Sequence, residues 1–401
     1  MKFMPAYGAF NAANLPNSSL ATRIFREVEK SYIPLEATLE LTQDCNFRCT
    51  HCYNFDRTES KRPLQNFNSQ SGSELQNKDV STPQGKSLEY SEILSLVDEL
   101  ESLGCLNMTL TGGEVLLWPR LLELIKNIRQ RHMGVYLKTN GSLLSPQRVK
   151  QLLEARVMGL EVSLYGENPK THDEFARTPG SYPKIWEGLQ NCLQQKLPVK
   201  IQFVITSYNA HEVEAFIRKA SEYGLDYSFN PQMSARYDGS RTSLDHRLSA
   251  SQLKTLYAGP LRSEIPPPDF NPKASVQCGC ARGICGIGYE GTVYPCIGAP
   301  LPAGNIRTQS FSDIWKNAPL FQKIRGLTLD DFEQCSPCAY RPYCRRSSGL
   351  VYTNTGNYLG NEDWTCMEAK TLQEVWTQST PDFPSTLDTH SSTLMPRAQD
   401  N

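Results

Sequence analysis

Short segments rich in β-branched and other apolar residues alternate along the chain with stretches in which apolar residues recur every three to four positions. This alternation predicts a parallel β-sheet whose strands are joined by helices. The predicted strands are Leu35–Thr42, Asn107–Thr111, Gly134–Thr139, Gly159–Tyr165, Val199–Thr206 and Asp226–Asn230. The predicted helices are Ser91–Leu103, Pro119–Arg131, Ser145–Ala155, Tyr182–Gln195 and His211–Tyr223. Six such units predict an α/β fold, an open or partial barrel with its chemistry at the carboxyl ends of the strands.

Two segments depart from this pattern. Residues 54–87 are a polar stretch with too few apolar side chains for a core, which predicts a mobile insertion or lid. The tail from Thr377 is rich in Ser, Thr and Pro and is predicted to be disordered. The predicted organisation is an N-terminal extension (1–34), a partial barrel (35–255), a small cysteine-rich domain (256–376) and the tail (377–401).

Charge narrows the classes of partner. The 42 acidic and 41 basic residues nearly cancel, which argues against electrostatic binding of nucleic acid or anionic lipid. No apolar run approaches the length of a membrane span, and Asn and Pro interrupt the first residues before a signal peptide could form. We therefore expect a cytoplasmic protein without a membrane partner.

The chain has 13 cysteines, which is unusual for a reducing compartment unless the thiols bind metal or perform redox chemistry. Cys105 and Cys192 stand alone and are predicted to be buried free thiols. The others form an early triplet and a late group of eight.

The early triplet, Cys45, Cys49 and Cys52, has the spacing CX3CX2C and follows the first predicted strand directly. Three thiolates can hold three irons of a 4Fe-4S cluster and leave the fourth iron open for another ligand. The alternative is a zinc knuckle with His51 as the fourth ligand.

This motif resembles that of the radical S-adenosylmethionine (radical SAM) superfamily, whose fold is a partial (β/α)6 barrel. The resemblance implies an enzyme that reductively cleaves SAM, bound at the open iron, to a 5′-deoxyadenosyl radical. Gly112, Gly113 and Glu114 resemble the superfamily's GGE motif, which binds the amino group of SAM. By the same resemblance, Tyr53 lies near the adenine, Ser163 near the ribose, and Arg177 reaches the SAM carboxylate.

The late cysteines resemble the SPASM extension of radical SAM enzymes, which binds two auxiliary iron–sulfur clusters. By this resemblance one auxiliary 4Fe-4S cluster has a complete ligand set: Cys335, Cys338, Cys344 and Cys366. Ser348 stands where the pattern has a further cysteine. The other cluster therefore has an open iron, which could bind substrate, serine or water, or is a 2Fe-2S centre, or takes all its ligands from the remaining four thiols. Those four are Cys278, Cys280, Cys285 and Cys296. The alternative for this region is a structural zinc ribbon.

The resemblance implies a maturase that abstracts a hydrogen from a ribosomally made precursor peptide and makes a crosslink or excises a residue fragment. The alternatives are formylglycine formation, as in anaerobic sulfatase maturases, and a non-catalytic iron–sulfur or zinc scaffold. About 34 residues precede the first strand, too few for a leader-binding domain, so we expect a separate leader-recognition protein. The expected electron donor is a flavodoxin or ferredoxin. No general acid or base is assigned.

Overall fold

The computed structural model describes residues 27–54 except residue 29, residues 86–264, residue 268 and residues 279–378. Most of the predicted insertion, the tail beyond residue 378, most of the N-terminal extension and Cys278 lie outside the described residues.

Six parallel strands form the main sheet, and they occur where the sequence predicts them. Every neighbouring pair along β1 to β6 is parallel, and the pairing follows chain order. The strands are β1 (Glu36–Glu40), β2 (Asn107–Thr111), β3 (Gly134–Thr139), β4 (Gly159–Leu164), β5 (Val199–Val204) and β6 (Asp226–Asn230). The predicted α/β fold is confirmed.

Helices connect the consecutive strands from β1 to β6, and their apolar residues pack on the sheet. They are α1 (Tyr90–Ser102), α2 (Leu121–Gln130), α3 (Pro146–Glu154), α4 (Pro169–Ala176), α5 (Ser181–Gln194) and α6 (Val213–Glu222). The prediction missed α4, although its signals are present: the side chain of Asn168 caps its first turn and Pro169 occupies its first position.

The cysteine-rich region continues the same sheet. Strand β7 (Ile284–Ile287) pairs in parallel with β1, and two short antiparallel strands extend the edge, β8 (Thr292–Tyr294) and β9 (Gly304–Asn305). The remaining helices are α7 (Ala250–Ala258), α8 (Phe311–Asn317), α9 (Pro319–Gly326), α10 (Ser348–Thr355) and α11 (Asp363–Gln378). The cysteine-rich region is therefore joined to the main sheet through β1.

The two faces of β1 show how the sheet separates core from site. Ala37 and Leu39 are fully buried in the apolar core beneath the helices. Glu36 and Glu40 lie on the opposite face because side chains alternate along a strand, and Glu36 accepts a hydrogen bond there from Thr109 of β2. Along β1, carboxylate and apolar side chains thus lie on opposite faces of the sheet.

Candidate functional site

The segment that carries the early cysteines is held by backbone hydrogen bonds to the end of α4. The N–H groups of Arg48 and Thr50 donate to the carbonyls of Ala176 and Phe175, at 3.1 and 3.0 Å. The guanidinium of Arg236, which follows β6, donates to the carbonyl of Thr50. No sequence pattern marks Arg236, because it is a single arginine in a loop.

The three early thiols are half-buried and have polar neighbours. The N–H of Phe47 donates to Sγ of Cys45 at 3.4 Å, a contact typical of thiolate ligands in iron–sulfur sites. The phenol of Tyr165 lies at Cys49, and burial, together with this thiol, raises the pKa of Tyr165 well above its usual range. The segment thus presents thiols with hydrogen-bonding neighbours at the strand ends.

Gly112 and Gly113 bring the loop after β2 against the cysteine segment. A Cβ on Gly113 would lie 2.2 Å from the carbonyl oxygen of Asp44, and one on Gly112 would lie 2.3 Å from that of Thr42. Gly112 also has φ +137°, which disfavours other residues. The two glycines therefore allow the backbone of the loop after β2 to approach the backbone just before Cys45 closely.

The carboxylate of Glu114 is fully buried and joins the ends of β2 and β3. It accepts hydrogen bonds from the Thr139 hydroxyl at 2.6 Å, the Asn140 N–H at 2.7 Å and the Leu116 N–H at 3.0 Å. Burial raises the pKa of Glu114, and these donors oppose the rise. A carboxylate has about four acceptor positions, and these donors occupy three of them; Glu114 as a SAM contact stays a prediction. In the sequence, Asn140 and Gly141 form a pair that is typical of turns and gives no sign of the hydrogen bond to Glu114.

The other predicted SAM contacts lie in different environments. The Tyr53 hydroxyl donates to Oε1 of Glu40 at 2.6 Å, and burial followed by this carboxylate raises the pKa of Tyr53. Ser163 is half-buried on β4 and hydrogen-bonds to Tyr165. Arg177 ends α4 in the left-handed conformation with an exposed side chain. These three assignments stay predictions.

Buried polar atoms of the cysteine segment fit a bound group at this place. Among the described residues, Thr50 Oγ1, His51 Nδ1 and Asn54 Nδ2 are buried without a hydrogen-bond partner. The ring of His51 packs between those of Tyr165 and Phe175, at 4.6 and 4.8 Å between centroids. His51 is thus surrounded by aromatic rings, an environment that suits packing better than the zinc ligation of the knuckle alternative.

Cys335, Cys338, Cys344 and Cys366 come together in the cysteine-rich region. The pKa of Cys335 is raised by burial, and Cys366 and Cys338 contribute to the rise. Burial raises the pKa of Cys344 to about 12, again with contributions from Cys335 and Cys366. Cys335 thus interacts electrostatically with each of the other three thiols, and the four are a suitable donor set for an iron–sulfur cluster, which binds them as thiolates.

Cys280 and Cys296 form a second pair nearer the barrel. The N–H of Ala281 donates to the carbonyl of Pro295 at 3.0 Å, which links the two cysteine loops. Tyr237, in the loop after β6, is buried, and both thiols contribute to the rise in its pKa after the larger effects of burial and Glu40.

Cys285 lies in a different environment. It pairs in register with Ala37 of β1, on the sheet face that packs into the apolar core. Burial raises the pKa of Cys285 most, followed by Cys105 and Glu36, with a smaller contribution from Cys296. A Cβ on the next residue, Gly286, would meet the backbone of Cys296 and Ile297 instead. Cys285 as a cluster ligand stays a prediction.

Two features are absent from the described residues. Among the residues described, no three Cys, His, Asp or Glu side chains meet as ligands of a single metal ion. Nor does the described part contain a helix with both the length and the apolar character needed to cross a membrane.

Comparison with protein families matches two parts of the chain. Residues 39–220 match the Radical SAM superfamily. Residues 278–341 match SPASM, an iron–sulfur cluster-binding domain. The two matches include the early cysteine motif, the segment from Gly112 to Glu114, and six of the late cysteines.

Three curated enzymes are among the proteins that this chain resembles. The AdoMet-dependent heme synthase of Methanosarcina barkeri is 27% identical over 357 residues, 81% of this chain and 94% of that one. The mycofactocin maturase MftC of Mycobacterium ulcerans is 26% identical over 359 residues, 84% and 88% of the two chains. The PqqA peptide cyclase of Granulibacter bethesdensis is 25% identical over 326 residues, which are 77% of this chain and 80% of that one.

Solved structures share the fold at low identity. The structure titled native anSMEcpe with bound AdoMet and Cp18Cys peptide has a TM-score of 0.62 and 15% identity, and covers 86% of this chain and 97% of that one. The structure of Streptococcus suis SuiB bound to precursor peptide SuiA has a TM-score of 0.59 and 14% identity, and covers 86% of this chain and 80% of that one.

Proposed function

We propose that this chain, which matches the Radical SAM superfamily over residues 39–220 and SPASM over residues 278–341, is a maturase of a ribosomally made precursor peptide. It abstracts a hydrogen from the peptide and makes or breaks a bond there, as a crosslink or an excision of part of a residue. One observation carries the substrate class: chains named as a mycofactocin maturase and a PqqA peptide cyclase resemble this one along most of its length.

Cys45, Cys49 and Cys52 would hold the SAM-binding cluster. When bound, the cluster and SAM supply the electron and the radical for hydrogen abstraction. The chain itself holds the parts of the site in fixed positions. Gly112 and Gly113 allow the loop after β2 to pack on the cysteine segment, and Glu114 hydrogen-bonds the end of β2 to the end of β3. Such rigidity holds a reacting group against one C–H bond and excludes water.

The two groups of late thiols would hold the auxiliary clusters. Cys335, Cys338, Cys344 and Cys366 form one set, and Cys280 and Cys296 contribute to the other. Tyr237 adjoins Cys280 and Cys296, and its ring lies 5.2 Å from that of Tyr53 beside the early motif. This continuity supports a shared substrate region between the early motif and the auxiliary thiols.

The finer partner assignments remain part of this proposal. A separate protein would recognise the leader of the precursor, and a flavodoxin or ferredoxin would supply electrons. Titration of the precursor leader against this chain, with and without a candidate partner, tests the first point. Tight leader binding by this chain alone would contradict it.

A second candidate substrate is a heme precursor, because the AdoMet-dependent heme synthase of M. barkeri aligns with 81% of this chain. The two candidates differ in the molecule that loses hydrogen, so a single isotope experiment separates them.

The test is an anaerobic incubation of the reconstituted protein with reductant, SAM and deuterated precursor peptides encoded near its gene. We expect deuterium in 5′-deoxyadenosine and a changed peptide mass by mass spectrometry, both absent from Cys45→Ala. Conversion of an added heme precursor, with every peptide mass unchanged, would contradict peptide maturation and support the second candidate.

A further inference from the structure

Ser348 occupies the place where the SPASM pattern has a cysteine, and the structure shows what surrounds it. The residue is fully buried at the first position of α10. A Cβ on the next residue, Gly349, would lie 2.5 Å from the carbonyl oxygen of Gly298, two residues beyond Cys296. The start of α10 therefore packs on the loop that carries Cys296, one of the thiols assigned to the other auxiliary cluster.

The Ser348 hydroxyl is engaged by an arginine. Nη1 of Arg346 donates to Oγ of Ser348 at 2.6 Å. Other guanidinium hydrogens donate to the carbonyls of Tyr358 and Gly360, and the cation lies 4.8 Å from the centroid of the Phe332 ring. Several fixed acceptors thus define the position of the guanidinium.

The same arginine contacts the other auxiliary thiol group. The guanidinium lies against the Phe332 ring, and the carbonyl of Phe332 accepts a hydrogen bond from the N–H of Cys335 at 2.8 Å. The side chain of Arg346 lowers the pKa of Cys335 against the larger effect of burial, and its backbone N–H does the same for Cys344. Arg346 therefore reaches two of the four thiols of this set and, through its contact with Ser348, the neighbouring site. Hydrogen bonds to ligand sulfurs are among the factors that set the potentials of iron–sulfur clusters.

We propose that Arg346 is a positioning residue that raises the reduction potential of the cluster held by Cys335, Cys338, Cys344 and Cys366, and that Ser348 serves as an acceptor for Arg346 and not as a cluster ligand. Reduction adds negative charge to the cluster, and a nearby cation stabilises that charge. The proposal rests on the cluster assignment within the proposed function and is independent of the peptide substrate.

The experiment is a redox titration of the anaerobically reconstituted full chain, followed by electron paramagnetic resonance. The signal of the relevant cluster is identified by its absence from Cys335→Ala. In Arg346→Gln we expect the ratio of reduced to oxidised cluster at a fixed ambient potential to fall about tenfold, equivalent to a potential about 59 mV lower for one electron. Arg346→Lys keeps the charge but loses the planar fork, and its fall is smaller.

Arg241→Gln is the matched control, because Arg241 also donates to a backbone carbonyl, that of Asn354 near the end of α10. Its potentials should equal those of the wild type. An unchanged potential in Arg346→Gln, or equal shifts of all clusters, would overturn the proposal.

Ser348→Ala tests the second half and covers the case in which Arg346→Gln does not fold. We expect the wild-type iron content, an unchanged signal from the neighbouring cluster, and at most a two- to threefold change in the ratio for the Cys335 cluster. Loss of iron, or a changed signal from the neighbouring cluster, would identify Ser348 as a ligand and contradict the proposal. None of these measurements uses a substrate. If the cluster potentials are as expected but the precursor peptide is not modified, that result counts against the proposed function alone.

Discussion

The early and late cysteine regions are built in different ways. The early motif lies at the ends of parallel strands, and backbone hydrogen bonds from the GGE loop and the end of α4 fix its position. The late cysteines lie mainly in turns and short elements, where side chains such as Arg346 supply the connections. A site built on sheet register is more readily predicted from sequence than one built on individual side-chain contacts.

The largest effect is expected from Cys45→Ala, which removes one thiolate of the early set. SAM cleavage should be abolished, because a two-thiolate remnant does not hold the cluster in the geometry that binds SAM. The measurement is 5′-deoxyadenosine by liquid chromatography after addition of reductant and SAM. Cys192→Ala is the control, because Cys192 is buried away from both groups and should keep wild-type cleavage. Equal cleavage in Cys45→Ala and the wild type would refute the assignment of the early motif.

Cys335→Ala should separate the two regions. We expect some 5′-deoxyadenosine to form, since the early motif is intact, while the modified peptide is absent because the auxiliary cluster is lost. Iron should fall by about four atoms per chain, the content of one cubane cluster. Full product formation by this variant would show that the reaction does not need the cluster to which Cys335 is assigned.

Gly113→Ala tests whether the early site depends on the close packing of the loop after β2 against the backbone of Asp44. The added methyl would lie 2.2 Å from the carbonyl oxygen of Asp44, so the loop must shift, at a cost of about 1–3 kcal/mol in the free energy of unfolding. Thermal denaturation and the iron content of the early site measure this effect. Gly326→Ala is the control, since a Cβ there meets no atom within 4 Å. Equal stability of the two variants would contradict the packing role of Gly113.

The smallest effect is expected from Arg177→Gln. The Arg177 side chain is exposed, so even a contact with the SAM carboxylate would be partly screened, and we expect a fewfold rise in the KM for SAM. Arg156→Gln is matched to it, because Arg156 also has positive φ and an exposed side chain at the end of a helix. A KM that is the same in both variants would remove Arg177 from the set of SAM contacts.

The sequence predicted the barrel well, because its apolar periodicity and its strand ends reflect the packing directly. The bounds of β2, β3 and β6 agree residue for residue with their predictions. The pairing of β7 with β1 was not predictable, because four residues with a central cysteine and glycine carry no clear strand signal. Likewise the partners of Glu114 and the contact between Arg346 and Ser348 depend on tertiary approach, which spacing along the chain does not encode.

The most direct test of the central claim is to reconstitute the protein anaerobically, count iron and labile sulfide, and assay 5′-deoxyadenosine after adding reductant and SAM. We expect about twelve irons per chain, as three 4Fe-4S clusters require, together with 5′-deoxyadenosine. Bound zinc without 5′-deoxyadenosine would contradict the account and leave a structural metal protein.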